Sequence, residues 1–336
     1  MSTRATIGAA ALQDTIGRAL VAAGTGTANA ACVARALTLA EIDGEAGHGL
    51  SRVPSYTAQV RAGKVKGDAA VTARRPRPAA LVVDAGYGFA YPAFDRVVSE
   101  LPGLAREMGI AAAAVVRSHH AGALGLVVER LAEAGCLALM FANTPSAMAA
   151  WGGRRGLLGT NPVAFAAPVP GGAPVVVDLA LTEVARGKIL AAAQKGEAIP
   201  AGWAVDETGA PTTDAKAALQ GTLLPAGGAK GAALALMVEV LAAAVTGSKL
   251  AFEATSFLDD KGGAPDVGQF IIAIDAGAFA GSEVFGARIG ALAAAIVGDG
   301  ARLPGARKAA LRAQALRDGV GVDARLLAEV EALAEA

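Results

Sequence analysis

The sequence predicts a mixed α/β fold with a helical lobe, and three observations carry that expectation. Apolar residues recur at helical spacing through the first 61 positions. Short apolar runs bounded by turn residues alternate with helical patterns from residue 81 to residue 297. Helical spacing with a charged face returns beyond residue 305. A chain of 336 residues is long enough to bury a sizeable core in two or three layers.

In order, helices are expected at residues 9–23 and 28–43, separated by Gly24-Thr25-Gly26-Thr27. A third covers 51–61, with Val53, Tyr56 and Val60 at helical spacing and Pro54 in the first turn, where proline is tolerated. Residues 73–78, Ala-Arg-Arg-Pro-Arg-Pro, read as a connector between lobes. Strands are expected at 81–83, 112–116, 137–141, 163–167, 175–177 and 270–274. The loop 168–172 is too short for a crossover helix, so the strands it joins must be antiparallel. Helices fill 94–108, 124–134, 183–194, 231–245 and 283–297, and the tail is helical at 306–317 and 324–336. The expected division is a helical lobe of residues 1–75 with 300–336, and a sheet domain of residues 76–299.

Composition excludes several classes of function. Hydrophobic residues make up 54% and mean hydropathy is +0.45, but much of this is alanine. The most apolar stretch, 232–246, is interrupted by Glu239 and is shorter than the roughly 20 residues a spanning helix requires. No signal-peptide pattern appears, which points to the cytoplasm. Lys plus Arg and Asp plus Glu balance at 30 each, with no basic block, so nucleic acid is a poor partner. Cys32 and Cys136 form neither a disulfide framework nor a CxxC site, and with three histidines no metal site is expected. No G-x-G-x-x-G follows a strand, since Gly24-Thr25-Gly26 lacks the third glycine, and no P-loop is present.

The three histidines all sit beside glycine, serine or arginine. His48 lies in Gly47-His48-Gly49-Leu50-Ser51-Arg52. If helical, this segment puts His48 and Arg52 on one face. Arginine can then hold a carboxylate while histidine exchanges a proton on the adjacent carbon's substituent. The plainer alternative is a surface arginine and a turn-capping histidine. Ser118-His119-His120-Ala121-Gly122 follows a strand and precedes a helix, where small residues would let backbone approach a phosphate. An ordinary strand–helix turn is the alternative. Asp178 ends a strand and could serve a site or cap the helix near Glu183. Lys188 and Lys230 could contact phosphate or lie on solvated faces, and Trp151 is most simply a packing residue.

Taken together, these segments resemble the non-Rossmann malate/L-lactate dehydrogenase family, which includes ureidoglycolate and sulfolactate dehydrogenases and Δ1-piperideine/Δ1-pyrroline-2-carboxylate reductases. The matching stretches include His48-Gly49-Leu50-Ser51-Arg52, Ser118-His119-His120-Ala121-Gly122, Trp151-Gly152-Gly153 and Gly159-Thr160-Asn161-Pro162. Asp178-Leu179-Ala180, Ala185-Arg186-Gly187-Lys188, Gly227-Gly228-Ala229-Lys230-Gly231 and Arg302-Leu303-Pro304-Gly305 continue the series. The resemblance implies an NAD(P)-binding domain built on a largely antiparallel sheet flanked by helices, and a homodimer with its active site near the subunit contact. It implies His48 as proton donor or acceptor, Arg52 as carboxylate clamp and Thr160 as a further substrate contact. His120, Ala121, Gly122, Ala123, Leu124, Asp178, Leu179, Ala180, Lys230, Arg302, Leu303, Pro304, Gly305, Arg307 and Lys308 would contact NAD(H) or NADP(H). In some relatives the residue matching His120 is treated as the base.

Two positions depart from the family's pattern. Gly47 stands where many relatives carry a relay serine, and Lys188 stands where the imine reductases carry aspartate, so Lys188 joins the candidate catalytic set. The expected activity is hydride transfer to or from the carbon next to a carboxylate. A small 2-oxo/2-hydroxy acid of the malate or lactate kind is the leading substrate. A cyclic 2-imino acid is the alternative, and a member that binds dinucleotide or ligand without turnover is a third possibility.

Overall fold

The computed structural model describes residues 4–335, so residue 336 of the expected tail helix lies outside the described residues. Among the described residues, a central sheet of seven strands organises the molecule. In chain order these are β1 (Thr72–Arg77), β2 (Ala80–Asp84), β3 (Ile110–Ser118), β4 (Cys136–Ala142), β5 (Val163–Ala167), β6 (Val175–Leu179) and β7 (Val267–Asp275). Their spatial order is β1-β2-β3-β7-β4-β5-β6. Only β2 and β3 run parallel, so the sheet is largely antiparallel, as the resemblance implies. The late strand β7 inserts between β3 and β4, with Ile271 opposite both Ala113 and Met140.

The alanine that inflates the hydropathy has a structural use. Ala111, Ala113, Ala138, Ala164, Ala166 and Ala273 are all buried on these strands, where a small side chain lets a helix lie close to the sheet. Helices α1 (Ala9–Ala22), α2 (Thr27–Ile42) and α3 (Val53–Arg61) precede the sheet. Helix α4 (Ala90–Met108) packs on β3, and α5 (Gly125–Glu133) packs on β4. A short strand, Arg4–Ile7, pairs antiparallel with Val320–Asp323 and so ties both ends of the chain into one lobe. The core continues unbroken from Leu12 and Leu37 through Val115 and Ile271 to Val330. A smaller cluster around Ile189, Ile199 and Leu223 fills a second lobe, built on a five-stranded sheet of short strands between residues 148 and 223.

Several sequence expectations change. Residues 73–78 are not a connector but lie mostly within β1, and the expected boundary at residue 75 falls inside that strand. Its Arg74, Arg75, Pro76 and Arg77 suit an edge position, where charge and proline are tolerated. The helix expected at 183–194 begins only at Arg186. The helix expected at 231–245 is Ala229–Glu239 followed by a π-helical turn, Val240–Ala244. Among the described residues, no helix is long and apolar enough to cross a membrane.

Arg312 joins three of these elements. It sits on the helix Ala306–Asp318 and donates to Asp43 at 2.8 and 2.7 Å, and to Glu129 of α5 at 2.8 and 2.7 Å. Asp43 is fully buried at the end of α2. Arg312→Met should therefore cost about 3 kcal/mol, because it strips a buried carboxylate of its principal partner. Urea unfolding monitored by circular dichroism measures this, and an unchanged midpoint would contradict it.

Candidate active site

Helix α3 and the end of β3 bring all three histidines together. His48 closes a short 3-10 turn, Ala46–His48, and Arg52 closes the next, Leu50–Arg52. The α-helix begins only at Val53, so the two residues do not share one helical face as the spacing suggested. Arg52 is placed instead by its Nε, which donates to the Gly47 carbonyl at 2.6 Å. The His48 ring stacks on His120 with centroids 5.3 Å apart and planes 17° apart. Tyr56 Oη lies 2.6 Å from His120 Nδ1 and 3.1 Å from Tyr91 Oη. Phe257 packs against both His119 and His120, at centroid distances of 5.3 and 5.1 Å.

Burial sets the electrostatics of this cluster. His48 is pushed down to about 4 by burial, with the nearby charges of Arg52 and Lys308 acting in the same direction. His119 falls to about 3 and His120 also falls well below the usual value, again mainly through burial. Tyr56 is pushed up to about 12 by burial. All three imidazoles are therefore neutral near pH 7. Among the described residues, Nδ1 of His48 is buried without a hydrogen-bond partner, a polar atom left for something that enters.

His119 has a different task. Gln59 Nε2 donates to the Phe257 carbonyl at 2.8 Å, which fixes the amide so that Gln59 Oε1 faces His119 Nε2, also at 2.8 Å. Since that oxygen can only accept, His119 carries its proton on Nε2. This is a structural histidine, bridged to a loop.

The loop after β3 differs from a phosphate cradle. Ala121, Ala123 and Leu124 are buried, and Gly122 has φ of 67° with Tyr91 so near that a Cβ would lie 2.6 Å from its hydroxyl. The glycine here makes room for Tyr91. The first amide of α5, on Gly125, is already taken by Asp178 Oδ2 at 2.7 Å, so Asp178 serves α5 and not the helix after it. Burial and the nearby Glu45 raise Asp178 to about 6. Lys308 lies in the same seam, 2.9 Å from Glu45 and 3.6 Å from Asp43.

The remaining candidates form a rim and a second network. Leu179 and Ala180 are exposed at the end of β6, and the Pro304 carbonyl accepts from Val176 N at 3.2 Å, holding Leu303, Pro304 and Gly305 against that strand. Arg302 and Arg307 are exposed on either side of this segment. An exposed apolar shelf beside guanidinium groups, with an orphaned imidazole nitrogen in the histidine cluster, fits a nicotinamide dinucleotide. Lys230 is exposed in the first turn of Ala229–Glu239, two residues after Gly228, against which Trp151 lies. Trp151 is 64% exposed and not a packing residue. Lys188 is exposed on Arg186–Lys195 of the smaller lobe.

Thr160 N donates to Thr144 Oγ1 at 2.9 Å, and the two hydroxyls lie 3.3 Å apart. Its neighbour Asn161 donates to the buried Glu239 at 2.8 Å, as do Ala251 N at 2.7 Å and Asn143 at 3.3 Å. Glu239 thus fastens the Thr160 loop, and burial raises its pKa. Tyr56, Gln59, Tyr91, Glu239 and Phe257 were not singled out from sequence as site residues. Glu239 had a visible signal, a lone charge within an apolar run. The others look like ordinary core positions.

The family assignment has independent support. The family model described as malate/L-lactate dehydrogenase matches residues 7–331. The chain belongs to the malate/L-lactate dehydrogenase family. It is accordingly an NAD(P)-dependent dehydrogenase or reductase. Similar curated proteins include the (2R)-3-sulfolactate dehydrogenase (NADP(+)) of Chromohalobacter salexigens, 51% identical over 88% of each chain. A Δ1-pyrroline-2-carboxylate reductase of Ancylobacter novellus is 42% identical over 94% of this chain and 93% of its own. The crystal structure of Δ1-piperideine-2-carboxylate reductase from Pseudomonas syringae superposes with a TM-score of 0.92 at 37% identity, covering 98% and 99% of the two chains.

Within this family member, Gly47 is open to test. A Cβ built there meets nothing within 4 Å, and Gly47 is not among the positive-φ glycines. Gly47→Ser should leave thermal stability unchanged to within about 0.5 kcal/mol. A larger loss in a thermal melt would show a steric demand that the open space does not suggest.

Proposed function

We propose that this chain interconverts a small anionic 2-hydroxy acid, of the malate, lactate or sulfolactate kind, and its 2-oxo acid, through His48 and Arg52. The observation that carries this is the neutral, largely buried His48, with a free ring nitrogen, next to a cation held by the Gly47 carbonyl. Arg52 would take the substrate carboxylate through its planar fork, leaving C2 and its oxygen beside His48. In oxidation, neutral His48 removes the hydroxyl proton. In reduction, the carboxylate offsets the Arg52 charge that, together with the larger effect of burial, holds His48 low, so the imidazole can take up a proton more readily and deliver it to the carbonyl oxygen. When bound, the nicotinamide ring supplies or accepts the hydride at C2. Leu179, Ala180, Arg302, Arg307 and Lys230 would hold the dinucleotide, with Lys308 and Asp178 behind them. Thr160 would complete the substrate pocket from the Glu239 side.

The similarity to a sulfolactate dehydrogenase and the lysine at 188 favour the hydroxy-acid reading. Similarity to several cyclic-imine reductases keeps Δ1-pyrroline-2-carboxylate as the second reading. Assays with NADPH and NADH against sulfopyruvate, oxaloacetate, pyruvate and Δ1-pyrroline-2-carboxylate separate them. Dinucleotide binding without oxidation on the whole panel would instead identify a non-catalytic member.

For the oxidative direction, kcat/KM should persist on acidification well below 6.5, with the acid limb set near the His48 value of about 4. The sign follows because burial and Arg52 both oppose protonation. An acid limb at 6.5 or above would remove His48 as the base. His48→Ala should abolish turnover at unchanged dinucleotide affinity, whereas the same outcome for His120→Ala alone would move the base to His120. Arg52→Lys should mainly raise KM, since a point charge does not replace a fork.

A homodimer completes the proposal. Among the described residues, only Ala293 is buried in the 17-residue helix Ser282–Gly298, which exposes Val284, Leu292 and Val297. An apolar helix left this open is suited to a second copy of the chain. Leu292→Arg should halve the mass measured by light scattering, and an unchanged mass would argue against this face.

A further inference from the structure

Lys64 is a fully buried lysine that the chemistry above does not use. Its Nζ donates to three main-chain carbonyls, those of Ser256 at 2.7 Å, Asp259 at 2.9 Å and Lys261 at 2.8 Å. The Asp259 carboxylate stands 3.4 Å away. Three carbonyls in reach require three N–H donors, which only the ammonium form carries. The arrangement is that of a cation in an oxygen cage, with the cation tethered to the chain.

What the cage holds is more telling than the cage itself. The carbonyl of Phe257, between two cage residues, is gripped by Gln59, whose other amide atom holds His119. The Phe257 ring then lies against His119 and His120. Thr255 Oγ1 closes the loop onto the Gly263 carbonyl at 2.7 Å. Lys64 and Gln59 occupy the end of α3 and the turn after it, the same helix that supplies Tyr56 to His120.

We infer that Lys64 is a positioning residue: its tethered ammonium shapes the 256–261 loop so that Phe257 seals the His119–His120 pair from water. This rests on the histidine-centred oxidoreductase reading and extends it to the wall behind the histidines. Phe257 is almost fully buried, and with Tyr56 and His48 it bounds the His120 ring. Around that ring stand Arg52, His48, His119, Tyr56 and Tyr91. Arg52 is positive and the histidines are neutral, so exclusion of water is what keeps His120 deprotonated, with Arg52 reinforcing it. Admitting water should raise its pKa part of the way back toward 6.5.

The test uses the intact enzyme with its dinucleotide and the best substrate from the panel. Phe257→Ala and Lys64→Met should each lower kcat/KM about tenfold or more while dinucleotide affinity holds. Both should move the acid limb, set by His48 in the intact enzyme, to higher pH by about one unit, because an imidazolium formed at His120 lies against the stacked His48 ring and ends turnover before His48 itself titrates. The double variant should be no worse than the weaker single, since both lesions open one wall. Methylammonium, small enough to enter the emptied cage, should restore Lys64→Ala and leave Phe257→Ala unaffected. Multiplicative losses in the double variant, or an unmoved acid limb in Phe257→Ala, would overturn the inference even if Lys64→Met fails to fold. A wild-type enzyme that binds dinucleotide but turns over nothing fails the broader reading instead. An active wild type with unaltered variants fails only this one.

Discussion

The contact between Tyr56 Oη and His120 Nδ1 is the joint on which the site depends. Tyr56 belongs to a helix of the N-terminal lobe, while His120 follows β3 of the central sheet. Both side chains are buried in the continuous core, so neither can move without disturbing the packing around it. Tyr91 adds a third partner from α4. Each hydroxyl has one proton to give, so this short chain can be polarised in either direction. The site is therefore located by core packing on one side and by loops only on the other.

Those loops are fastened by buried charges of opposite sign. Glu239 gathers amides from Asn143, Asn161 and Ala251, and Lys64 gathers carbonyls from the segment that follows. Each charge is satisfied chiefly by dipoles and not by a counter-ion. Such satisfaction is what makes burial of a full charge tolerable. The histidines between them have no equivalent compensation, and they remain neutral.

Long elements were legible in the sequence because their period is repeated many times. Residues 163–167 match β5 to the residue, and the antiparallel partner follows from the short loop between the two strands. Strands of two or three residues, such as Gly156–Leu158 and Ala204–Val205, are too short to show a period, so the smaller lobe was invisible. The terminal strand Arg4–Ile7 escaped for the same reason. In the site, chemistry-bearing residue types stood out: His48, Arg52, His120 and Asp178 were all marked. Their supports were not, since Tyr56 and Phe257 differ from core aromatics only by what they touch. The Gly122 segment shows the converse, for a glycine suited to phosphate also suits a tyrosine ring.

Both borders of the central sheet carry an obstacle to strand addition, of different kinds. On one side β1 presents Arg74, Arg75, Pro76 and Arg77, a row of charge interrupted by a residue with no amide hydrogen. On the other, the backbone of β6 is engaged by the Pro304 carbonyl at Val176. Strand addition from another molecule is opposed at both borders. Extension of the seven strands into a longer shared ribbon, and the edge-to-edge stacking that leads to aggregation, are thereby discouraged. Assembly of this chain is thereby biased toward its helices.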